Sequence, residues 1–238
     1  MDIGDTIRRL KEELPSGVRL AAVSKFHPAD AIREAYGAGQ RIFAESRPQE
    51  LYAKVTELGQ ERNPDGIPAY PDIEWHFIGH LQTNKLKLVL PYVSLVQSVD
   101  SLHLLQAIDR WGRDNGRITN VLLECHIAAE QTKQGFSADE IRDILLGEQS
   151  CPNVRFCGLM GMATFTDDMT VIRADFGRIR GLFDSLADTA VSALPAEGSR
   201  LKYFRELSIG MSEDYRTALE YGSTMVRIGT MIFGPREY

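Results

Sequence analysis

About eight times over, the chain passes from a short run of β-branched and apolar residues to a stretch long and amphipathic enough to be a helix. A strand followed by a crossover helix returns parallel to its predecessor, so repetition of the unit builds a parallel sheet. The strand-like runs are Leu20–Ser24, Arg41–Ala44, Glu74–Ile78, Leu95–Val99, Asn120–Cys125, Arg155–Met160, Phe204–Ile209 and Met225–Ile228. Apolar spacing between them predicts helices centred on Pro28–Ala38, Pro48–Glu61, Thr83–Leu90, Leu102–Asn115, Ser137–Leu146, Ile172–Leu194 and Ser212–Tyr221. One more helix opens the chain, with Ile3, Ile7, Leu10 and Leu14 on one face and Pro15-Ser16-Gly17 as its stop.

A single α/β domain over residues 1–238 is expected, a (β/α)8 TIM barrel carrying an extra N-terminal helix. Barrels of this kind take about 250 residues. A doubly wound open sheet is the alternative. It loses ground because the first strand runs into Lys25-Phe26-His27-Pro28 and not into a glycine-rich dinucleotide turn. Ala163–Thr170 reads as a flexible βα loop, and Pro64–Pro71 and Leu194–Arg200 read as exterior connections.

In a barrel the C-terminal ends of the strands share one mouth, and alternate residues face inward. Lys25 shares a face with Ala21 and Val23, which brings a primary amine to the edge of an apolar core. Desolvation there lowers an amine's pKa and makes it a nucleophile toward an aldehyde. Near the other end, Ser208-Ile209-Gly210-Met211-Ser212 and Ile228-Gly229-Thr230 finish strand-like runs in small, hydroxyl-bearing turns. Exposed backbone N–H groups and hydroxyls are the chemistry of a phosphate cradle, best supported by a helix start at Ser212. Arg227 would reach a ring nitrogen and disfavour its protonation. Glu45, His80, His126 and Arg227 are expected to converge on the same mouth.

Other arrangements are weaker. His76 and His80 lie on a strand and the turn after it, where a spacing of four does not form a one-face metal pair, so no metal is expected. Cys125 and His126 are strand neighbours and point oppositely, which favours a buried structural Cys125. Twenty-seven Lys and Arg against 33 Asp and Glu, a formal charge of −6, argue against a broad nucleic-acid surface. Three cysteines without paired spacing and an acidic Met1–Thr6 suggest the cytoplasm. No run approaches the roughly 20 apolar residues of a membrane span.

Six ordered motifs resemble one known family. They are Ala22-Val23-Ser24-Lys25, Trp75–Lys85, Gln97–Ser101, Gly158-Leu159-Met160, Leu207–Asp214 and Gly222–Gly234. The chain is similar over nearly its whole length to the YggS/PROSC proteins, the pyridoxal phosphate homeostasis family. The resemblance implies the barrel of alanine racemase and its fold-type III relatives, with pyridoxal 5′-phosphate as cofactor. It implies Lys25 as the Schiff-base lysine, Ser212, Gly229 and Thr230 as phosphate ligands, and Arg227 as the partner of the pyridine nitrogen. Ser46, His80 and Ser208 complete the expected cofactor-binding set.

Two positions depart from the family pattern. Ala44-Glu45-Ser46 stands where Gly-Glu-Asn is common, and His126 stands where asparagine is usual. Both touch the hydrogen bonding expected around the cofactor. The function implied is holding pyridoxal phosphate for vitamin B6 homeostasis, without established turnover and so without catalytic residues. Partners implied are the cofactor and PLP-dependent apo-enzymes, and a monomer is expected. The competing reading is an amino-acid racemase, which needs acid and base groups on opposite faces of the substrate carbon. In alanine racemases a tyrosine from a second domain supplies one of them, and the chain up to Tyr238 shows no room for that domain.

Overall fold

A computed structural model describes residues 2–128, 134–147, 150–192 and 200–235. The strands are β1 (Arg19–Val23), β2 (Ile42–Glu45), β3 (Glu74–Phe77), β4 (Leu95–Val99), β5 (Thr119–Cys125), β6 (Val154–Gly161), β7 (Glu206–Ser208) and β8 (Met225–Ile228). All pair parallel and in sequence order, and β1 also pairs with β8, so the sheet closes into a barrel. The expected (β/α)8 architecture is the one observed, and the open-sheet alternative is excluded.

The helices are α1 (Ile3–Glu13), α2 (Ala29–Gly37), α3 (Pro48–Gln60), α4 (Leu86–Val89), α5 (Leu102–Asn115), α6 (Ala138–Leu146), α7 (Met169–Ser192), α8 (Tyr215–Glu220) and α9 (Thr230–Phe233). Their starts follow ordinary capping chemistry. Asp2 accepts from Asp5 N–H, Ser101 accepts from Leu104 N–H, and Ser137 forms a capping box with Glu140. None of the described helices is long and apolar enough to cross a membrane.

Period-two alternation divides the apolar residues between two cores. Ala21, Val23, Ile42, Ala44, Leu95, Leu122, Met160 and Met225 fill the barrel interior. Leu20, Phe43, Phe77 and Val121 face outward and pack with helix residues such as Ile32, Leu51 and Ile108. The first helix is part of this outer layer, because Ile7 and Leu10 are fully buried in it.

Several element bounds differ from the sequence expectation. The seventh strand is confined to Glu206–Ser208, since Arg200–Tyr203 winds into a 3-10 turn before it. Thr83–Leu90 divides into a 3-10 turn at Thr83–Lys85 and the short α4. The long helix begins at Met169, not Ile172, because Asp168 accepts from Thr170 N–H at 2.8 Å and starts it one turn earlier. That takes the last two residues out of the expected loop Ala163–Thr170. The exterior turn expected at Leu194–Arg200 lies, up to residue 199, outside the described residues.

Candidate functional site at the barrel mouth

Lys25 continues the inward face of Ala21 and Val23 past the end of β1, and it lies in the wall of a cavity of about 520 Å³. Val23, Ile78, Met160 and Met162 contribute apolar wall. Ser212 from the β7–α8 turn, Arg227 from β8, Gly229 just after β8 and Thr230 at the start of α9 line the same cavity. Residues separated by most of the chain length are thus brought to one chamber.

Arg227 is a charged residue held inside the barrel, at 4% exposure. Its Nη1 donates to the Ser208 carbonyl and hydroxyl at 2.7 Å each, and Nη2 donates to the Gly161 carbonyl at 2.9 Å. Ser208 Oγ passes the chain on to Gln97 Oε1 at 2.7 Å, and Gln97 Nε2 lies 2.9 Å from His76 Nδ1. A polar ladder across the interior therefore fixes the guanidinium from below. Burial lowers the Arg227 pKa to about 10, with Asp214 and Glu124 opposing, so it stays a cation near neutral pH. The same burial holds the His76 imidazole neutral, pushing its pKa down to about 3.

The turn bearing Ser212 is built differently from the expectation. α8 begins at Tyr215, so Ser212 is not its first residue but part of a turn over residues 211–214. Asp214 Oδ1 accepts from Met211 N–H at 2.6 Å and holds that turn. Gly210, at φ 94°, starts it, and a Cβ there would come within 2.6 Å of Ala218 Cβ. After β8, Gly229 packs closely on β1, since a Cβ would sit 3.2 Å from the Val23 carbonyl oxygen. The short α9 that follows has no counterpart in the expected elements.

Three expected ligands stand outside the cavity wall. Ser208 is fully buried, and its hydroxyl is engaged by Gln97 and Arg227, so it acts beneath the cavity. His80 is exposed, with Nδ1 2.8 Å from Asp100 Oδ2. Ser46 is half-buried beside β3, where Gly79 packs so closely that a Cβ would meet the Ser46 carbonyl oxygen at 2.1 Å. Glu45 is a correction of another kind. It does not face the mouth but shares the outward face of Phe43, and it pairs with Lys54 of α3 at 2.7 Å.

A second, smaller cavity of about 270 Å³ holds Glu124, Cys125 and His126. His126 Nε2 lies 3.0 Å from the Ala128 carbonyl, so this departure from the family pattern lies in a different cavity wall from Lys25. Burial raises the Cys125 thiol to about 12, the behaviour of a structural cysteine. Burial, reinforced by Asp100, raises the Glu124 carboxyl to about 7. No cluster of three metal-ligating side chains occurs among the described residues.

Sequence reasoning passed over two contributors to the site. Thr164, on the β6–α7 loop in the cavity wall, gives its N–H and hydroxyl to the buried Asp175 of α7, at 2.7 Å each. Lys54, buried on α3, is the other. Its spacing from Leu51 and Leu58 places it on the buried stripe of α3, and that was the available signal.

The family defined by the alanine racemase N-terminal domain matches residues 2–237. A pyridoxal phosphate homeostasis protein of Aquifex aeolicus is 34% identical over 92% of this chain and 88% of its own length. The human protein of the same name is 36% identical over 99% of this chain and 83% of its own. The chain belongs to the pyridoxal phosphate homeostasis family. Among solved structures of that family, PipY of Synechococcus elongatus with PLP bound superposes at a TM-score of 0.80, with 33% identity, 98% of this chain and 100% of that chain covered. Its PLP-free form gives 0.84 at 34% identity, with the same coverage of both chains. The alanine racemase of E. faecalis, 17% identical, shares the fold at a TM-score of 0.69, over 98% of this chain and 58% of the enzyme.

Proposed function

We propose that this chain binds pyridoxal 5′-phosphate at the barrel mouth, holds it covalently through Lys25, and stores and releases it in vitamin B6 homeostasis. One observation carries the reading: Lys25, Arg227, Ser212, Gly229 and Thr230 line a single cavity. The donor set fits the group, with an amine for an aldehyde, hydroxyls and turn N–H groups for a phosphate, and a buried cation for the ring. A cavity of about 520 Å³ is roomy enough for a ligand of that size. Family membership and the PLP-bound PipY structure support the same assignment.

When bound, the cofactor supplies an aldehyde that an amine can capture and a conjugated ring able to withdraw electrons. The chain's own residues bind and restrain it. Ser212 and Thr230 offer hydroxyl donors, and the Gly229–Thr230 backbone offers N–H groups without a side chain in the way. Val23, Ile78 and Met160 would give the bound group an apolar wall. Arg227, a cation fixed by Ser208 and Gly161, disfavours a proton on a neighbouring ring nitrogen. That weakens electron withdrawal and supports storage over turnover. The cavity wall includes no tyrosine among the described residues to serve as a second acid or base opposite Lys25.

Equilibrium dialysis tests the reading. The wild-type chain should retain pyridoxal phosphate and yield it to a PLP-dependent apo-enzyme, restoring that enzyme's activity. Lys25→Ala should lose the covalent fraction and keep only the weaker, phosphate-mediated binding. Retention that is indifferent to Lys25 would refute the assignment.

A further inference from the structure

The peptide groups on either side of Lys25 are both held from α3. Lys54 Nζ donates to the Ser24 carbonyl at 2.8 Å, and Glu50 Oε1 accepts the Phe26 N–H at 2.6 Å. Phe26 lies at φ 68°, in the left-handed region that a bulky residue rarely enters, so the turn just after Lys25 needs outside support. Lys54 is itself fully engaged, because its other two donors go to Glu45 Oε1 and Glu50 Oε1 at 2.7 Å each. Ser24 Oγ closes the circuit by donating to Glu45 Oε1 at 2.6 Å. The Arg47 guanidinium lies 4.3 Å from the centre of the Phe26 ring.

We infer that Glu50, Lys54 and Glu45 are positioning residues for Lys25, clamping its backbone from the helix layer so that its amine is presented to the cavity at a fixed place. None of the three lines the cavity, so they act on the cofactor only through Lys25. Glu45 and Lys54 are buried, which makes their pairing insensitive to solvent competition. A bond-forming amine must be held near its target, and small misplacements cost rate far more than they cost binding. The inference rests on the proposed binding of pyridoxal phosphate and adds how the amine is aimed.

Two ligands separate aiming from binding. Pyridoxine 5′-phosphate has no aldehyde and reports phosphate and ring contacts alone. Pyridoxal 5′-phosphate adds the bond to Lys25, for which the neutral amine would give up two protons and the aldehyde its oxygen, leaving together as water, and it is read as the rate of adduct formation. Glu50→Leu should bind pyridoxine phosphate within about twofold of wild type yet form the adduct at least about tenfold more slowly. Glu50→Gln keeps an oxygen acceptor for Phe26 N–H and should stay within about threefold of wild type in both. Lys54→Met should slow the adduct as Glu50→Leu does; if it fails to fold, the Glu50 pair decides. Equal adduct rates in Glu50→Leu and Glu50→Gln, or parallel loss of both ligands, would overturn the clamp while leaving wild-type adduct formation intact. A wild type that forms no adduct overturns the binding reading itself, and the clamp with it.

Discussion

Arg227 spends one guanidinium nitrogen on both the carbonyl and the hydroxyl of Ser208, at 2.7 Å each, so the cation in the cavity wall is fixed by the strand beside it. The hydroxyl is also the link to Gln97, which makes Ser208 the joint between the barrel's interior ladder and its mouth. Ser208→Ala should therefore lower stability by about 1–3 kcal/mol, by leaving Gln97 Oε1 without its donor. Urea unfolding measures this. A loss below about 0.5 kcal/mol would show that the ladder does not hold Arg227 as described.

The turns after β7 and β8 carry the anion-binding side of the account. Ser212→Ala and Thr230→Ala should each weaken retention of pyridoxal phosphate by roughly threefold to tenfold, the range expected from losing one hydrogen bond. Inorganic phosphate should compete less well in both variants. Equilibrium dialysis with phosphate as competitor checks the pair, and unchanged retention in either removes that residue from the grip.

Closure of the barrel was legible because it depends on a coarse pattern, namely eight strand-like runs separated by crossover-length helices. Lys25 and Arg227 were legible for a similar reason, since period two carries them from Val23 and Met225 onto the interior face. Ser208 also follows that period, but whether it meets a ligand or a neighbour depends on packing across the barrel, and Gln97 and Arg227 took its hydroxyl. Glu45 falls on the opposite parity from Ala44 and points to α3, so proximity to the strand end misled. The Ser212 helix start failed because Asp214 satisfies the Met211 N–H and defers helix formation to Tyr215. Which backbone N–H a nearby carboxylate takes is decided by geometry, not by residue type.

Acid should weaken the fold through His76. Its imidazole is buried, with a pKa held to about 3 against an ordinary 6.5. The native state thus binds fewer protons than the unfolded chain between those values. The contribution is fully present above the ordinary value and is lost as pH falls toward the native one. Glu45 and Glu124, raised to about 6 and about 7, work oppositely, so the effect is read as a difference between chains. Going from about pH 7 to about pH 4.5, wild type should lose roughly 2 kcal/mol more than His76→Leu. Parallel pH profiles by urea unfolding would contradict the neutral, buried imidazole.

Racemisation is not expected of a cavity with a fixed cation at Arg227 and no tyrosine among its described lining residues. Incubating the loaded protein with L-alanine and assaying D-alanine checks this. Sustained, protein-dependent formation of D-alanine over many equivalents would replace the storage role with a catalytic one.

The central claim concerns a single amine, and chemical mapping reads it directly. Wild-type protein loaded with pyridoxal phosphate, reduced with borohydride and digested should carry the pyridoxyl group on the peptide containing Lys25, with the visible absorption band of the unreduced complex lost. Lys25→Ala treated alike should carry none. A pyridoxyl group on another lysine, or an unmodified Lys25 peptide from protein that retains the cofactor, would contradict the account.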